Sequence, residues 1–598
     1  MKGAVIGIVG SASDGILEAG ETLINAFAQE GYFATLCTHK GTQIRGGEVS
    51  CRIRVATTPV LNSGGALDLA VVLNWEDYSR LSGELIIGAE TVVVYDKKTG
   101  LTAATLPLGG VKPAAAVAIP ITEMAIHAGA PSQSKDCVVL GLLAAWLGLP
   151  QKKILESITA RTRGKADPSP KVDQKAFASG IEFATRHPLG RDMALDRATA
   201  TGGRRRVADG NEMCARAALF AGCKFFAGYP ISPATEIMHY LQREIGKYGG
   251  SFLQAEDEIA AAAAAVGASY AGAKAMTATS GPGFSLQTEV LGLASAVELP
   301  LVCVNVQRGG PATGMPSTQE QADLFAATFS SPGDTVRPVL APTSVADTFD
   351  VTVEAFNIAE HYQTPVIVLT DRDLAQCKAV LEPIEPSQFR IIDRMEPTKA
   401  ELKKYARFQI TEAGISPISH PGMRGGSYLA AGLEHDERGV PTSSGEVHAQ
   451  MTRKRLSKLN PLKQRRDLFL FEGDPDAHIG LVSWGNVSGI TREAVRIARA
   501  SGIKVKLLVP RLLYPVAEAV YEDFFASLRR CVVVEQSHQG QLHRILKMWT
   551  NTPHEFMSVS KSGANRISPH EIVKLIQAME QPATDRFRTH YCDLLNVI

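Results

Sequence analysis

Short apolar runs alternate along the whole chain with stretches whose apolar residues recur at helical spacing. The first is Gly3 to Val9, closed by the small-residue turn Gly10 to Gly15 and followed by Ile16, Ala19, Leu23 and Phe27. Others lie at 68–73, 92–95, 115–119, 299–306, 365–369, 479–484, 504–509 and 531–535. Strands separated by helices pair through crossovers, so the pattern predicts an α/β fold of mostly parallel sheets flanked by helices. At 598 residues the chain is long enough for several such sheets.

Three domains are expected. Residues 1–190 form the first, and the polar stretch 191–206, with Arg204, Arg205 and Arg206, reads as a solvated linker or subunit contact. The second domain spans 207–395, and 396–465 is a looser connecting segment. The third is 466–598.

Lys plus Arg total 62 against 61 Asp plus Glu, so no global field attracts nucleic acid or an anionic membrane. No run approaches the ~18 apolar residues of a membrane span. The apolar start faintly imitates a secretory signal but continues straight into an amphipathic helix pattern, and a cytoplasmic location is expected. Nine cysteines are scattered with no CxxC pair, which excludes a zinc knuckle or a ferredoxin-type cluster on this chain. Their odd number and apolar settings read as reduced thiols.

Several motifs could carry chemistry. The opening turn could seat an anion or be a plain tight turn, but it isn't GxGxxG and no acidic residue ends the second strand. Gly228-Tyr229-Pro230-Ile231-Ser232-Pro233 follows a strand and precedes a helix, where α/β sheets place ligands; Ser232 could cap that helix, contact a ligand, or both. Glu256, Asp257 and Glu258 open an alanine-rich helix. They would favour the helix dipole in any case, yet a desolvated carboxylate there could hydrogen-bond a ring nitrogen. Thr279-Ser280-Gly281-Pro282-Gly283-Phe284 makes a turn where a planar ligand could approach backbone. Arg308, followed by two glycines at a strand end, suits capture of a carboxylate, with a surface salt bridge as the alternative.

Together, Gly228–Glu236, Gln254–Gly272, Thr279–Phe284 and Gln307–Leu324 resemble the alpha subunit of 2-oxoacid:ferredoxin oxidoreductases, a thiamine diphosphate enzyme family. The likeness extends over nearly the whole chain. It is strongest to the 2-oxoglutarate branch, with a gamma domain fused ahead of alpha: residues 1–190, with Arg45-Gly46-Gly47, are similar to that gamma domain. Gly432 to Gly439 is also similar to that branch. The second and third domains would then be of the thiamine pyrimidine type and the transketolase C-terminal type. The family's Tyr-Pro-Ile-Thr-Pro has Ser232 at its fourth position here, and the opening turn departs from the family's Gly-Gly-Gln-Gly.

The resemblance implies CoA-dependent oxidative decarboxylation of 2-oxoglutarate to succinyl-CoA and CO2 with reduction of ferredoxin, or the reverse carboxylation. It implies catalytic Glu258, Arg308 and Ser232, with Glu256 the alternative to Glu258. Pro230, Ile231, Ser280, Gly281 and Phe284 would contact the cofactor with Glu258, and Ser232, Arg308 and Thr313 would bind the substrate. No metal ligands are expected on this chain, which has no Gly-Asp-Gly. A beta subunit would bring the diphosphate site, Mg²⁺ and a [4Fe–4S] cluster, in an (alpha–beta)2 assembly that reduces ferredoxin with CoA as cosubstrate. Pyruvate, a branched-chain 2-oxoacid or indolepyruvate are alternative substrates, and a noncatalytic scaffold is an alternative of another class.

Overall fold

The computed structural model describes residues 2–41, 47–129, 135–162, 170–198, 205–563 and 566–581. Its contacts divide the chain into two compact units, one of residues 1–209, 376–384 and 564–569, the other of the remainder. Arg45, Gly46 and Arg204 lie outside the described residues.

The first unit is built on an eight-stranded sheet, in spatial order Ala115–Ile119, Val92–Asp96, Leu69–Val72, Gly3–Ser11, Glu48–Ala56, Phe33–Lys40, Lys378–Leu381 and Arg206–Ala208. The first four strands are parallel, as the strand and helix alternation requires. The other four pair antiparallel, and the seven residues between Phe33–Lys40 and Glu48–Ala56 are too few for a crossover.

Three local readings of this unit change. The opening turn is filled by its own carboxylate: Asp14 Oδ2 accepts from the Ser11 N–H at 3.0 Å, and Oδ1 accepts from Lys135 Nζ at 2.8 Å. That is the tight-turn alternative, with the place of an anion taken. Arg205 is buried with its guanidinium 3.6 Å from the Phe33 ring centroid and is not a solvated linker residue. Cys37 and Cys377, 340 positions apart, form a disulfide, correcting the expectation that all thiols are free. Sequence spacing cannot show such a pair. It arises because Lys378 lies opposite Leu36, which sets Cys377 beside Cys37. Six other cysteines are free and buried.

The second unit has two sheets. One runs Leu512–Tyr514, Val339–Leu340, Pro365–Asp371, Leu301–Gln307, Ala275–Thr279, Phe225–Gly228 and Ser251–Gln254, parallel except at its Leu512–Tyr514 edge. The other runs Phe469–Gly473, Lys506–Pro510, Ile479–Ser483, Arg530–Glu535 and Glu555–Ser560, with one antiparallel edge. A single apolar core from Cys214 to Leu546 takes residues from both sheets. No helix among the described residues is long and apolar enough to cross a membrane.

The connecting segment is fastened by buried charge. Lys454 and Lys458, on and just after the Gly445–Ser457 helix, both reach the Glu298 carboxylate, Lys458 Nζ at 2.8 Å, and Arg407 donates to the Glu298 carbonyl at 2.6 Å. Burial opposes ionisation of Glu298, but the lysines and Arg407 outweigh it and hold its carboxyl below the usual range. Burial lowers Lys454 to about 8. Removing one partner strands the others in low dielectric, so Glu298→Ala should cost about 3–5 kcal/mol of unfolding free energy in urea titrations. A cost under about 1 kcal/mol would show the lysines finding water instead.

Candidate functional site

The site residues lie at the carboxyl ends of four adjacent parallel strands, Ser251–Gln254, Phe225–Gly228, Ala275–Thr279 and Leu301–Gln307. Ligands of α/β sheets bind at this edge, where loops leave the strands and helix N-termini converge.

After Phe225–Gly228 the chain passes through exposed Tyr229 and Pro230, half-buried Ile231 and exposed Ser232. The Ser232–Pro233 peptide is cis. The helix begins only at Thr235, with Ala234 at the cap position and no side-chain cap bond. The Ser232 hydroxyl is therefore not the cap the sequence suggested, and it is left available to a ligand. The Ser232 carbonyl accepts from Arg308 Nη1, which joins two of the three predicted substrate residues directly.

Among the three acidic residues, the helix phase separates the roles. Asp257 is the cap, accepting from the Ala260 N–H at 2.8 Å, while Glu256 is exposed and Glu258 is buried at 7% exposure. The Glu258 side chain packs on the first turn of the Gly281–Ala296 helix. A Cβ at Gly283 would lie 2.2 Å from Thr279 Oγ1 and 2.5 Å from Glu258 Cγ, so only glycine fits there. Ser280, at the cap position of that helix, is fully buried and its Oγ has no partner. Phe284 is fully buried in the apolar core, where its ring anchors the turn from below.

Arg308 follows Leu301–Gln307 and is 7% exposed. Its Nε has no partner, and no carboxylate lies within ion-pair distance among the described residues. Burial lowers its pKa, with Asp323 acting in the other direction. Beyond it the loop folds back, with Met315 N–H donating to the Gly309 carbonyl at 2.8 Å. Thr313 sits exposed on that loop.

Sequence reasoning missed the polar layer under this loop. Glu320 accepts from the Gly310 and Gly563 N–H groups at 3.1 Å each; the Gln321 side chain accepts from the Gln536 N–H and donates to the Trp484 carbonyl, and the Gln321 N–H donates to the Gln536 carbonyl. Asp371 accepts from the Leu374 and Asn486 N–H groups, and Glu535 from those of Leu542 and His543. Burial pushes Asp371 up to about 7 and Glu535 to about 6. Isolated Asp, Glu and Gln residues carry no periodic signal; the Gln319-Glu320-Gln321 cluster before an apolar helix was the one visible hint.

Three family models match the chain: a pyruvate flavodoxin/ferredoxin oxidoreductase thiamine diphosphate-binding domain over 216–454, a pyruvate ferredoxin/flavodoxin oxidoreductase domain over 5–183, and core domain II of pyruvate:ferredoxin oxidoreductase over 477–572. The 2-oxoglutarate synthase subunit KorA of Methanocaldococcus jannaschii is 37% identical, over 61% of this chain and 98% of that protein. The 2-oxoglutarate oxidoreductase subunit KorA of Mycobacterium tuberculosis is 31% identical, over 92% of this chain and 87% of its own length. The chain belongs to the 2-oxoacid:ferredoxin oxidoreductases. A solved family structure, the 2-oxoglutarate:ferredoxin oxidoreductase of Magnetococcus marinus with 2-oxoglutarate, coenzyme A and succinyl-CoA bound, superposes with a TM-score of 0.91 at 33% identity, over 97% of this chain and all of that one.

The raised carboxyls of this oxidoreductase give a pH test with a defined sign. Asp371 binds its proton more tightly folded than unfolded, so its contribution to stability is full below about pH 4 and is lost as pH rises through about 7. Asp371→Asn should flatten that fall in thermal melts across the same range. An unchanged slope would place the titration elsewhere.

Proposed function

We propose that this chain is the gamma-fused alpha subunit of a thiamine diphosphate-dependent 2-oxoglutarate:ferredoxin oxidoreductase, converting 2-oxoglutarate and CoA to succinyl-CoA and CO2 while ferredoxin is reduced, or running in reverse as a carboxylase. The observation that carries this reading is a buried glutamate on a glycine turn, together with a buried arginine that lacks a counter-ion among the described residues, on a chain whose relatives are 2-oxoglutarate enzymes.

The residues fit the cofactor's ring. The glycines at 281 and 283 let the Asp323 and Glu258 carboxyls pack against the helix turn, and Ser280 Oγ is a buried polar atom in want of a partner. Thiamine diphosphate, when bound, supplies the electron sink that breaking the bond to a 2-oxoacid's carboxylate requires. Glu258 would hold the proton at a ring nitrogen, its burial keeping water from competing. Pro230, Ile231, Ser280 and Gly281 would border the ring, and Phe284 supports the turn from the core. Arg308 would take the substrate carboxylate as its missing counter-ion, with the Ser232 hydroxyl orienting the 2-oxo group and Thr313 contributing from the loop.

This chain has no Gly-Asp-Gly, the usual magnesium and diphosphate motif of such enzymes, and no cysteine cluster. The diphosphate, Mg²⁺ and [4Fe–4S] sites are therefore assigned to a beta subunit, in an (alpha–beta)2 assembly. The need for ferredoxin and CoA supports a cytoplasmic location.

Assays of the complex with 2-oxoglutarate, pyruvate, a branched 2-oxoacid and indolepyruvate, with CoA and a viologen dye, should favour 2-oxoglutarate. Glu258→Gln should lower that turnover by about 100-fold or more. Equal rates on every acid would refute the substrate assignment, and near-normal turnover of Glu258→Gln would favour a scaffold. Separately, the isolated chain should show no iron–sulfur absorbance and bind thiamine diphosphate weakly in calorimetry, whereas tight binding would contradict a divided site.

A further inference from the structure

Arg308 is a buried cation, and Asp323 is a carboxyl bonded to the strand that leads into it. Asp323 stands at the head of the Leu324–Phe329 helix, yet its side chain does not cap that helix. It is committed elsewhere. Oδ2 accepts from Asn305 Nδ2 at 3.1 Å, the Asp323 N–H donates to Gln307 Oε1 at 3.0 Å, and the carboxyl packs on Gly281, where a Cβ would lie 2.8 Å from Oδ2. Two of these anchors lie on the strand that leads into Arg308. The third lies on the helix turn that also receives Glu258. The carboxyl is thus fixed between the two elements that carry the site, with no ion pair of its own among the described residues.

We infer that Asp323 is a positioning residue whose negative charge opposes the hold of Arg308 on the substrate carboxylate, so that a 2-oxoacid binds most tightly when Asp323 carries a proton. This rests on the reading of Arg308 as the carboxylate ligand. A second anion brought to Arg308 must share the guanidinium field with Asp323, and the two like charges repel in surroundings that screen poorly. Protonation removes the repulsion and leaves the anchors in place, since the backbone bond to Gln307 and the contact with Gly281 don't depend on charge.

The groups facing the Asp323 carboxyl are few. Asn305 and Gln307 on the strand are neutral, Gly281 on the helix has no side chain, and the charges are Arg308 and, on the same loop, Glu320. Burial raises the carboxyl to about 6; the Asn305 bond and Arg308 act against that rise, and Glu320 adds to it. The substrate's own charge would raise it further, so binding would draw a proton from the buffer onto Asp323.

The test uses the complex with its beta subunit. The KM for 2-oxoglutarate should rise about tenfold between pH ~5.5 and ~7.5 in the wild type and stay low and flat in Asp323→Asn, with kcat changing less than KM. Glu320→Gln should keep a slope but move it to lower pH, because the Glu320 charge adds to the rise of Asp323. The inference is overturned if Asp323→Asn retains the slope, if it raises KM at every pH, or if Glu320→Gln alone abolishes the slope. A second measurement needs no variant: calorimetry of 2-oxoglutarate binding without CoA, in buffers of different ionisation enthalpy, should show proton uptake near pH ~6.5, and none would overturn it. Absence of turnover with any 2-oxoacid would strike the functional reading itself, whereas turnover with an unaltered profile strikes only the role of Asp323.

Discussion

A buried guanidinium without a carboxylate partner is costly, because the hydration it surrenders is worth several kcal/mol and no ion pair returns it. Arg308 is held in that state by the Ser232 carbonyl, which accepts one of its N–H groups, and by the strand end that fixes its backbone. Much of the local structure follows from this. The loop after Phe225–Gly228 must present a backbone oxygen inward, and the loop after Arg308 must turn back on itself through the Gly309 and Met315 bond. An anionic ligand would complete the arginine, so the site is built with its strongest attraction unspent.

The first turn of the Gly281–Ala296 helix is the second organising element. Glu258 packs on Gly283 and Asp323 on Gly281, so two carboxyl groups flank a helix N-terminus whose field favours negative charge. Side chains at either glycine would displace one of them. The alanine-rich helix that begins with Glu258 serves the same end: small residues let it lie close to the sheet and bring its first residue to this turn.

Much of this was legible in the sequence, for local reasons. The strand and helix periodicity marked the parallel sheets, the glycines at 281 and 283 marked a close approach, and Glu258 and Arg308 stood at strand or helix ends where α/β folds put ligands. Helix phase, which the alanine run conceals, was needed to bury Glu258 and expose Glu256. The features that stayed hidden are long-range. Cys377 meets Cys37 only because Lys378–Leu381 adds to a sheet begun near the N-terminus, and Leu512–Tyr514 joins a sheet whose other strands precede it by more than a hundred residues. Seven of the fourteen residues from Arg453 to Arg466 are basic, and two of them, Lys454 and Lys458, close on Glu298 in the interior, a pairing that spacing alone does not reveal.

The buried polar layer beneath the Arg308 loop fits the same logic. An apolar layer there would join the two sheets of the second unit more cheaply, since each buried carboxyl must be hydrogen-bonded or protonated. Glu320, Gln321, Asp371, Gln536 and Glu535 instead bind specific N–H and carbonyl groups of loops that carry or support the site. Directional bonds fix a loop in one conformation where apolar contacts would tolerate several. Arg308, Glu320 and Asp323 share one loop, so the geometry of the arginine is set by this layer, and the stability conceded to it returns as a site ordered before any substrate arrives.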